Sequence, residues 1–342
     1  MPEIVDRLAD LTEFRDRDIA DVTLVGAFRD LLQPLSVAVF RAVGEPGNER
    51  WHSRARLGAG DAVASSDSMW ADLEGLPLLA EFPLREQVLR LGRPTSVAGQ
   101  THLALYPLAT DQEVVAVLEL ETTQPLDERD RGLVASVLRI HRNFQGLLDY
   151  SERDTLTGLL NRKTFDNSFM KISAAQQAAA AELADDRRGA GPSVGHWLAV
   201  VDIDHFKRVN DNFGHLIGDE VLLLLARLMR GSFRFSDRLY RFGGEEFVVL
   251  VRCADHAAAA MVFERLRANT EHYAFPQVGR LTVSVGFTEV KPGDTPSGAF
   301  ERADKAVYYA KSHGRNQVRS HAELVSGGEL EDGSKVGDVE LF

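Results

Sequence analysis

Apolar residues recur at helical spacing through Ile4, Leu8, Leu11, Phe14, Leu24, Phe28 and Leu31-Leu32, and Pro34 closes the run. Residues 4 to 32 are therefore expected to form an amphipathic helical entry. The pattern shifts to alternation at residues 35–40 and 51–57, on either side of the turn cluster Gly44-Glu45-Pro46-Gly47-Asn48, which predicts a hairpin. Helical spacing returns over residues 76–91, Pro94 to Val97 reads as extended, and two strands follow at 103–108 and 114–120. Residues 1–126 thus predict a mixed sheet with flanking helices. Asp127 suits an N-cap, with Glu128 and Asp130 in the first turn where the helix dipole favours negative charge. After it Leu133, Val137, Ile140, Phe144 and Leu147 fall at alternating spacings of four and three, a heptad seam along a linker at 127–152. Such a helix spans roughly 35 Å. Packing back onto the preceding domain and pairing with a second chain both bury the seam; a homodimer through this linker helix is the expectation.

In the second half, Trp197 to Val201 is a continuous apolar run, as in a central strand buried on both faces, and it ends in Asp202-Ile203-Asp204. From Leu239 to Val251, alternating apolar positions flank Gly243-Gly244-Glu245-Glu246, which reads as two antiparallel strands joined by a two-residue glycine turn. Two adjacent carboxylates repel unless a positive charge sits beside them, so a divalent cation is the natural partner and a solvated acidic tip the alternative. Neighbouring strand residues face opposite ways, so one of the two is expected to be the main ligand. The bare backbone at Gly243 and Gly244 leaves room for a bulky phosphorylated ligand. Helices are expected at 255–270 and 303–311, the second closed by Gly314, with a strand at 281–287. The Ala-rich stretch from 174 reads as a helix end and flexible loop, and the Gly-rich acidic tail at 320–342 as disordered.

Composition narrows the function. A chain of 342 residues, 44% hydrophobic, has room for two domains with separate cores. A net charge of -12 argues against nucleic acid or an anionic membrane as partner, and no basic patch supports a DNA-binding regulator. The single cysteine, Cys253, excludes an intrachain disulfide framework and a multi-cysteine zinc site; a small buried hydrophobe is expected there. No apolar run reaches bilayer length and the first residues lack a signal-peptide layout, so a cytoplasmic location is expected.

The layout ending in Ala104-Leu105-Tyr106-Pro107-Leu108 and Val114 to Leu120 resembles the GAF class of small sensory domains, with a PAS-like sensor as the alternative. His52, His102, Trp51 and Trp70 suit a pocket, but more commonly such residues serve as core or rim. Three longer motifs, Asp154-Thr155-Leu156-Thr157-Gly158-Leu159-Leu160-Asn161-Arg162, the run from Asp202 to Asp219, and Gly243-Gly244-Glu245-Glu246-Phe247, resemble the GGDEF family of diguanylate cyclases. The resemblance covers about residues 153–319, with Glu at the third signature position. It implies an α+β fold: a GAF-like sensor at 1–126, a signalling helix, and a palm-like nucleotide-cyclase domain. It implies condensation of two GTP into cyclic di-GMP and two pyrophosphates. Asp202, the carbonyl of Ile203 and Glu245 would hold magnesium, with manganese as the alternative ion. Glu245 would accept the proton of the attacking hydroxyl with Glu246 close by, and Lys207 would neutralise phosphate charge. Asn210 and Asp219 would read guanine, His215, Phe206, Gly243 and Gly244 would lie near it, and Lys311 and Arg315 would hold the terminal phosphates. Arg234 and Asp237, at the spacing of the family's RxxD site, would with Arg265 bind cyclic di-GMP as an inhibiting product.

Overall fold

The computed structural model describes residues 17–44, 47–68, 71, 73–110, 113–185 and 194–331. Residues 4–16 of the expected helical entry, Glu45 and Pro46 of the turn cluster, Trp70, residues 186–193 of the predicted loop and 332–342 of the tail lie outside them. The chain divides into two compact units, Met1–Ser151 and Glu152–Phe342.

In the first unit, helix α1 (Arg17–Leu32) precedes strands β1 (Ser36–Val43) and β2 (Arg50–Gly58). Helix α2 (Pro83–Leu91) leads to β3 (Thr95–Ala98), β4 (His102–Ala109) and β5 (Val114–Thr122), and then to helix α3 (Glu128–Glu152). The expected helix at 76–91 begins only at Pro83, which sits at its first positions where a missing N–H costs nothing; Gly92 ends it in the left-handed region. The strands form one sheet in the order β2-β1-β5-β4-β3. Every pairing in it is antiparallel, a correction to the mixed sheet expected. The short β1–β2, β3–β4 and β4–β5 connections permit only antiparallel neighbours, and β5 returns beside β1. One face buries Leu24, Phe28, Val39, Leu118, Leu120, Val134 and Val137; the other buries Phe40, Trp51, Leu79, Val88 and Val117. Each large apolar side chain so buried contributes about 2 kcal/mol.

The Asp127 carboxylate accepts the Asp130 N–H at 2.7 Å, the cap expected for α3. The buried positions of this helix are Val134, Val137, His141, Phe144 and Leu148. Of the predicted seam, Val137 and Phe144 are buried within the chain, whereas Leu147 is 68% exposed. The inward positions keep alternating spacings of three and four, so the buried stripe is itself a heptad seam, rotated to include Val134, His141 and Leu148 in place of Leu133, Ile140 and Leu147. His141 stands 3.6 Å from Asp21, whose other oxygen accepts from Arg54 Nε at 3.1 Å. Burial pushes the Asp21 carboxyl up, but His141 and Arg54 outweigh it and hold it below the usual carboxylate range.

In the second unit β6 (Leu160–Asn161) leads into α4 (Arg162–Asp185), followed by β7 (Gly195–Ile203), α5 (Phe206–Phe213) and α6 (His215–Ser232). Strands β8 (Arg238–Gly243) and β9 (Glu246–Cys253) form the hairpin, α7 (His256–His272) follows, and β10 (Ala274–Phe275) pairs with β11 (Gly279–Arg280). Strand β12 (Val283–Val290), α8 (Pro296–Ser312), β13 (Val318–Ser320) and α9 (His321–Ser326) complete the unit. Its main sheet runs β13-β12-β7-β9-β8-β6; the four central strands are antiparallel and the two edges parallel. Leu198 to Val201 are fully or nearly fully buried, as the apolar run predicts. Cys253 is also buried. Helix α8 lies directly on β12: a Cβ added at Gly286 would stand 2.2 Å from the Ala303 oxygen and 2.3 Å from the Val307 nitrogen. The tail expectation is corrected over residues 320–331. Ser320 caps α9 and Leu324 is buried, because this turn packs on β12, β13 and α8. Among the described residues no helix is long and apolar enough to cross a membrane.

Candidate active site

The tip of β7 carries Asp202, which is paired in register with Glu246 on β9 and Ser284 on β12. The hairpin differs from expectation by one position. Gly243 still pairs with Glu246, so the two turn residues are Gly244 and Glu245, and the register shifts between Arg241 and Gly243. Gly243 and Gly244 have φ of 140° and 51°, conformations that a side chain would strain. Glu245 is thereby released from strand alternation, and both carboxylates lie close enough to Asp202 to influence its charge. The Arg241 guanidinium holds the turn, donating to the Gly244 carbonyl at 2.9 Å and to Asp154 Oδ1 at 2.9 Å. Asp154 also accepts from the Thr157 amide and hydroxyl, so the first of the long motifs anchors the third.

Asp202 is 7% exposed, and its Oδ1 has no hydrogen-bond partner beyond an ionic contact of 2.6 Å with Lys311 Nζ. Burial pushes its carboxyl up to about 6, Lys311 pulls it down, and the charges of Glu245 and Glu246 push it up again. Burial likewise raises Glu245, against Lys311 and with Glu246. Lys311 thus stands among Asp202, Glu245 and a third carboxylate, Asp304 two turns earlier on α8, whose proton affinity it also lowers while burial raises it. Sequence reasoning missed Asp304; its seven-residue spacing from Lys311 was the available signal. Among the described residues, no three His, Cys, Asp or Glu side chains form a metal-holding group. A buried carboxylate oxygen whose one close partner is the Lys311 ammonium, beside a second carboxylate, nevertheless fits a small hard cation that takes its other ligands from backbone, water and phosphate.

The other residues predicted for the substrate lie on the helices that follow β7 and at or just past the end of α8. Lys207, His215 and Asp219 are exposed on α5 and α6. Asn210 is half-buried, and its Oδ1 lies where a Gly218 side chain would be, 2.0 Å from that Cβ position, which brings it beside the turn bearing Asp219. Phe206 is 5% exposed and belongs to the core with Val209, so it supports the site from below rather than facing an open ligand. Lys311 closes on Asp202, whereas Arg315 is exposed in the left-handed region with φ of 62°.

Asp204, given no role by its motif, is 2% exposed and fully engaged. Its Oδ1 accepts from Ser284 Oγ at 2.7 Å, and its Oδ2 accepts from Thr282 Oγ1 at 2.6 Å and from the Asn316 amide at 3.0 Å. No local signal could have found this, since Asn316 lies 112 residues away. On another face, Asp237 accepts from the Arg234 amide at 2.8 Å, and Arg265 donates to the Ser232 carbonyl at 2.5 Å. Burial raises the Asp237 carboxyl to about 6, while Arg234 and Arg265 both pull it down, so the three predicted residues share one electrostatic neighbourhood.

A family model described as diguanylate cyclase, GGDEF domain, matches residues 151–317. The diguanylate cyclase DgcP of Pseudomonas aeruginosa is 35% identical over 76% of this chain and 39% of its own length. The diguanylate cyclase DgcS of Shewanella oneidensis is 31% identical over 68% of this chain and 69% of its own. Among solved structures, the coiled coil and GGDEF domain of DgcB from Caulobacter crescentus in complex with c-di-GMP is 30% identical. It covers 58% of this chain and 100% of that one with a TM-score of 0.48. The chain spans about two fifths of the length of the curated relatives it matches first.

Proposed function

Because the chain belongs to the GGDEF family of diguanylate cyclases, we propose that it condenses two GTP molecules into cyclic di-GMP with release of two pyrophosphates. The observation that carries this reading is the convergence of Asp202, Glu245, Glu246 and Lys311 at one end of a buried strand. Asp202, the Ile203 carbonyl and Glu245 would hold Mg2+ or Mn2+, which when bound supplies Lewis-acid polarisation of the phosphate oxygens. Glu245, raised by burial, is suited to receive the proton of the attacking 3′-hydroxyl, with Glu246 beside it. Lys311, which pairs with Asp202 in this structure, would meet the terminal phosphates along with Arg315. Lys207 offsets charge developing on the transferred phosphoryl group. Asn210 and Asp219 lie on adjoining helices, with His215 nearby; the Asn210 amide can donate to and accept from the guanine edge, and the Asp219 carboxylate accepts from guanine N1 and N2 donors, a set that adenine lacks. Gly243 and Gly244 give the nucleotide close approach to the backbone.

Each chain supplies one nucleotide half-site, so product with two-fold symmetry requires two chains. With Val137 and Phe144 used inside the chain and Leu133 packed against the same core, Ile140 and the exposed Leu147 and Tyr150 are left to pair with a second copy of α3. The first unit acts as a GAF-like sensory domain governing output; its antiparallel sheet with helical cover on both faces suits that role. Arg234, Asp237 and Arg265 bind cyclic di-GMP and restrain turnover.

The deciding experiment incubates the purified chain with GTP and Mg2+ and separates nucleotides. Wild type should form cyclic di-GMP, and Glu245→Ala should lose at least about a thousandfold in rate. In the same assay Arg234→Ala should lift inhibition by added product, and Val88→Ala, buried in the first unit, should alter output. Production by Glu245→Ala at the wild-type rate would overturn the catalytic reading; unchanged product inhibition or output in the other variants would overturn their respective parts.

A further inference from the structure

We propose that Asp204, acting through the backbone of Asn316, is a positioning residue that holds the turn carrying Arg315 toward the terminal phosphates of the nucleotide. The proposal rests on the GTP reading of the site.

The two aspartates of Asp202-Ile203-Asp204 do different work. Asp202 keeps a buried oxygen without a hydrogen bond, whereas both oxygens of Asp204 are taken by Ser284, Thr282 and Asn316. Its own amide donates to the Thr282 carbonyl at 2.9 Å, which locks the carboxylate to the start of β12. With both oxygens engaged by the chain and the residue 2% exposed, its output is the position of Asn316.

Asn316 is a junction. Its amide donates to Asp204, its Oδ1 accepts from Arg267 Nη1 at 2.6 Å, and its Nδ2 donates to Glu271 Oε1 at 2.8 Å. Arg267 is itself paired with Glu264 and Glu271 along α7. The tip of β7, the helix α7 and the turn after α8 therefore meet at one side chain. Arg315 and Asn316 are both left-handed, with φ of 62° and 46°. Asn tolerates that region through its short polar side chain, but Arg does not favour it, so the conformation of Arg315 is imposed by its surroundings. The Arg315 amide donates to the Ala310 carbonyl at 2.9 Å, and Gln317 Nε2 donates to the carbonyls of Ala310 and His313. The guanidinium is exposed, at the end of the helix that brings Lys311 to Asp202. A long, solvated cation on a rigid backbone is a preorganised phosphate binder, because little freedom remains to be lost on binding.

The test compares wild type, Asp204→Asn, Asn316→Ala, Arg315→Ala and the double variant Asp204→Asn with Arg315→Ala, all as full chains with Mg2+. Asp204→Asn retains shape but leaves one acceptor oxygen for three donors. It should raise KM for GTP about tenfold with kcat within about threefold of wild type, while affinity for GMP, which lacks the terminal phosphates, stays within about twofold. Asn316→Ala keeps the amide but frees it from α7 and should show the same GTP-selective loss to a smaller degree; it also carries the comparison if Asp204→Asn does not fold. Since Asp204 acts through Arg315, the double variant should bind GTP no worse than Arg315→Ala alone. Equal losses for GTP and GMP, additive losses in the double variant, or unchanged GTP affinity in a folded Asp204→Asn would overturn the positioning role while leaving the enzymatic reading intact. A wild-type chain that binds no guanine nucleotide would overturn both.

Discussion

Asp237 carries a cost set by its surroundings. Burial raises its carboxyl from 3.8 to about 6 despite the amide of Arg234 and the charges of Arg234 and Arg265. The folded state thus holds this proton more tightly than the unfolded chain. The associated stability is complete below about pH 4 and is lost as pH rises through about 6. At pH 7.5 the ionised group costs roughly 3 kcal/mol. Asp237→Asn, which keeps an acceptor for Arg234, should therefore raise Tm by several degrees at pH 7.5, with the gain shrinking towards zero near pH 4, as read by calorimetry. A gain equal at both pH values would point to packing rather than charge. At this scale the sequence was legible where chemistry is displayed locally: Asp202 closes an apolar run, and Glu245 follows two glycines. Asp204 sits in the same tripeptide, yet its work was hidden because its partners, Thr282, Ser284 and Asn316, come from distant parts of the chain.

Elements carry the site by their spacing. Helix α8 approaches β12 so closely that only glycine fits at 286, and this approach brings Lys311 at its far end to Asp202. Gly286→Ala must push apart backbone atoms that cannot rotate away, and should cost about 3 kcal/mol in urea unfolding together with weaker GTP binding. Gly132→Ala is the control: nothing lies within 4 Å of the added methyl, and α3 should gain about 0.5–1 kcal/mol. The existence of β7, the β8–β9 hairpin and α3 was readable from periodicity. Their details were not, because a one-residue shift in the hairpin turn and the rotated inward face of α3 depend on pairing and packing partners that no single segment reveals.

For the molecule, the proposed pairing of two copies turns on what α3 leaves uncovered. Leu147 and Tyr150 are 68% and 79% exposed on α3, an expensive display unless a partner covers them. Leu147→Asp should shift the chain to monomer in sedimentation and remove cyclic di-GMP formation, while leaving its far-UV spectrum unchanged; an active monomer would dismiss pairing through this helix. Room for two units was legible from length; the boundary between them, at Ser151 and Glu152, falls at the far end of the linker helix and not at its Asp127 cap. The antiparallel character of the first sheet was not, since the strand β5 that joins β1 is more than seventy residues downstream. The outer strands of the second sheet, β6 and β13, contain only two and three residues. Stubs this short offer almost no ladder for an incoming strand. Self-recognition through these two edges is thereby discouraged, so crowding leaves the second sheet no ribbon to extend.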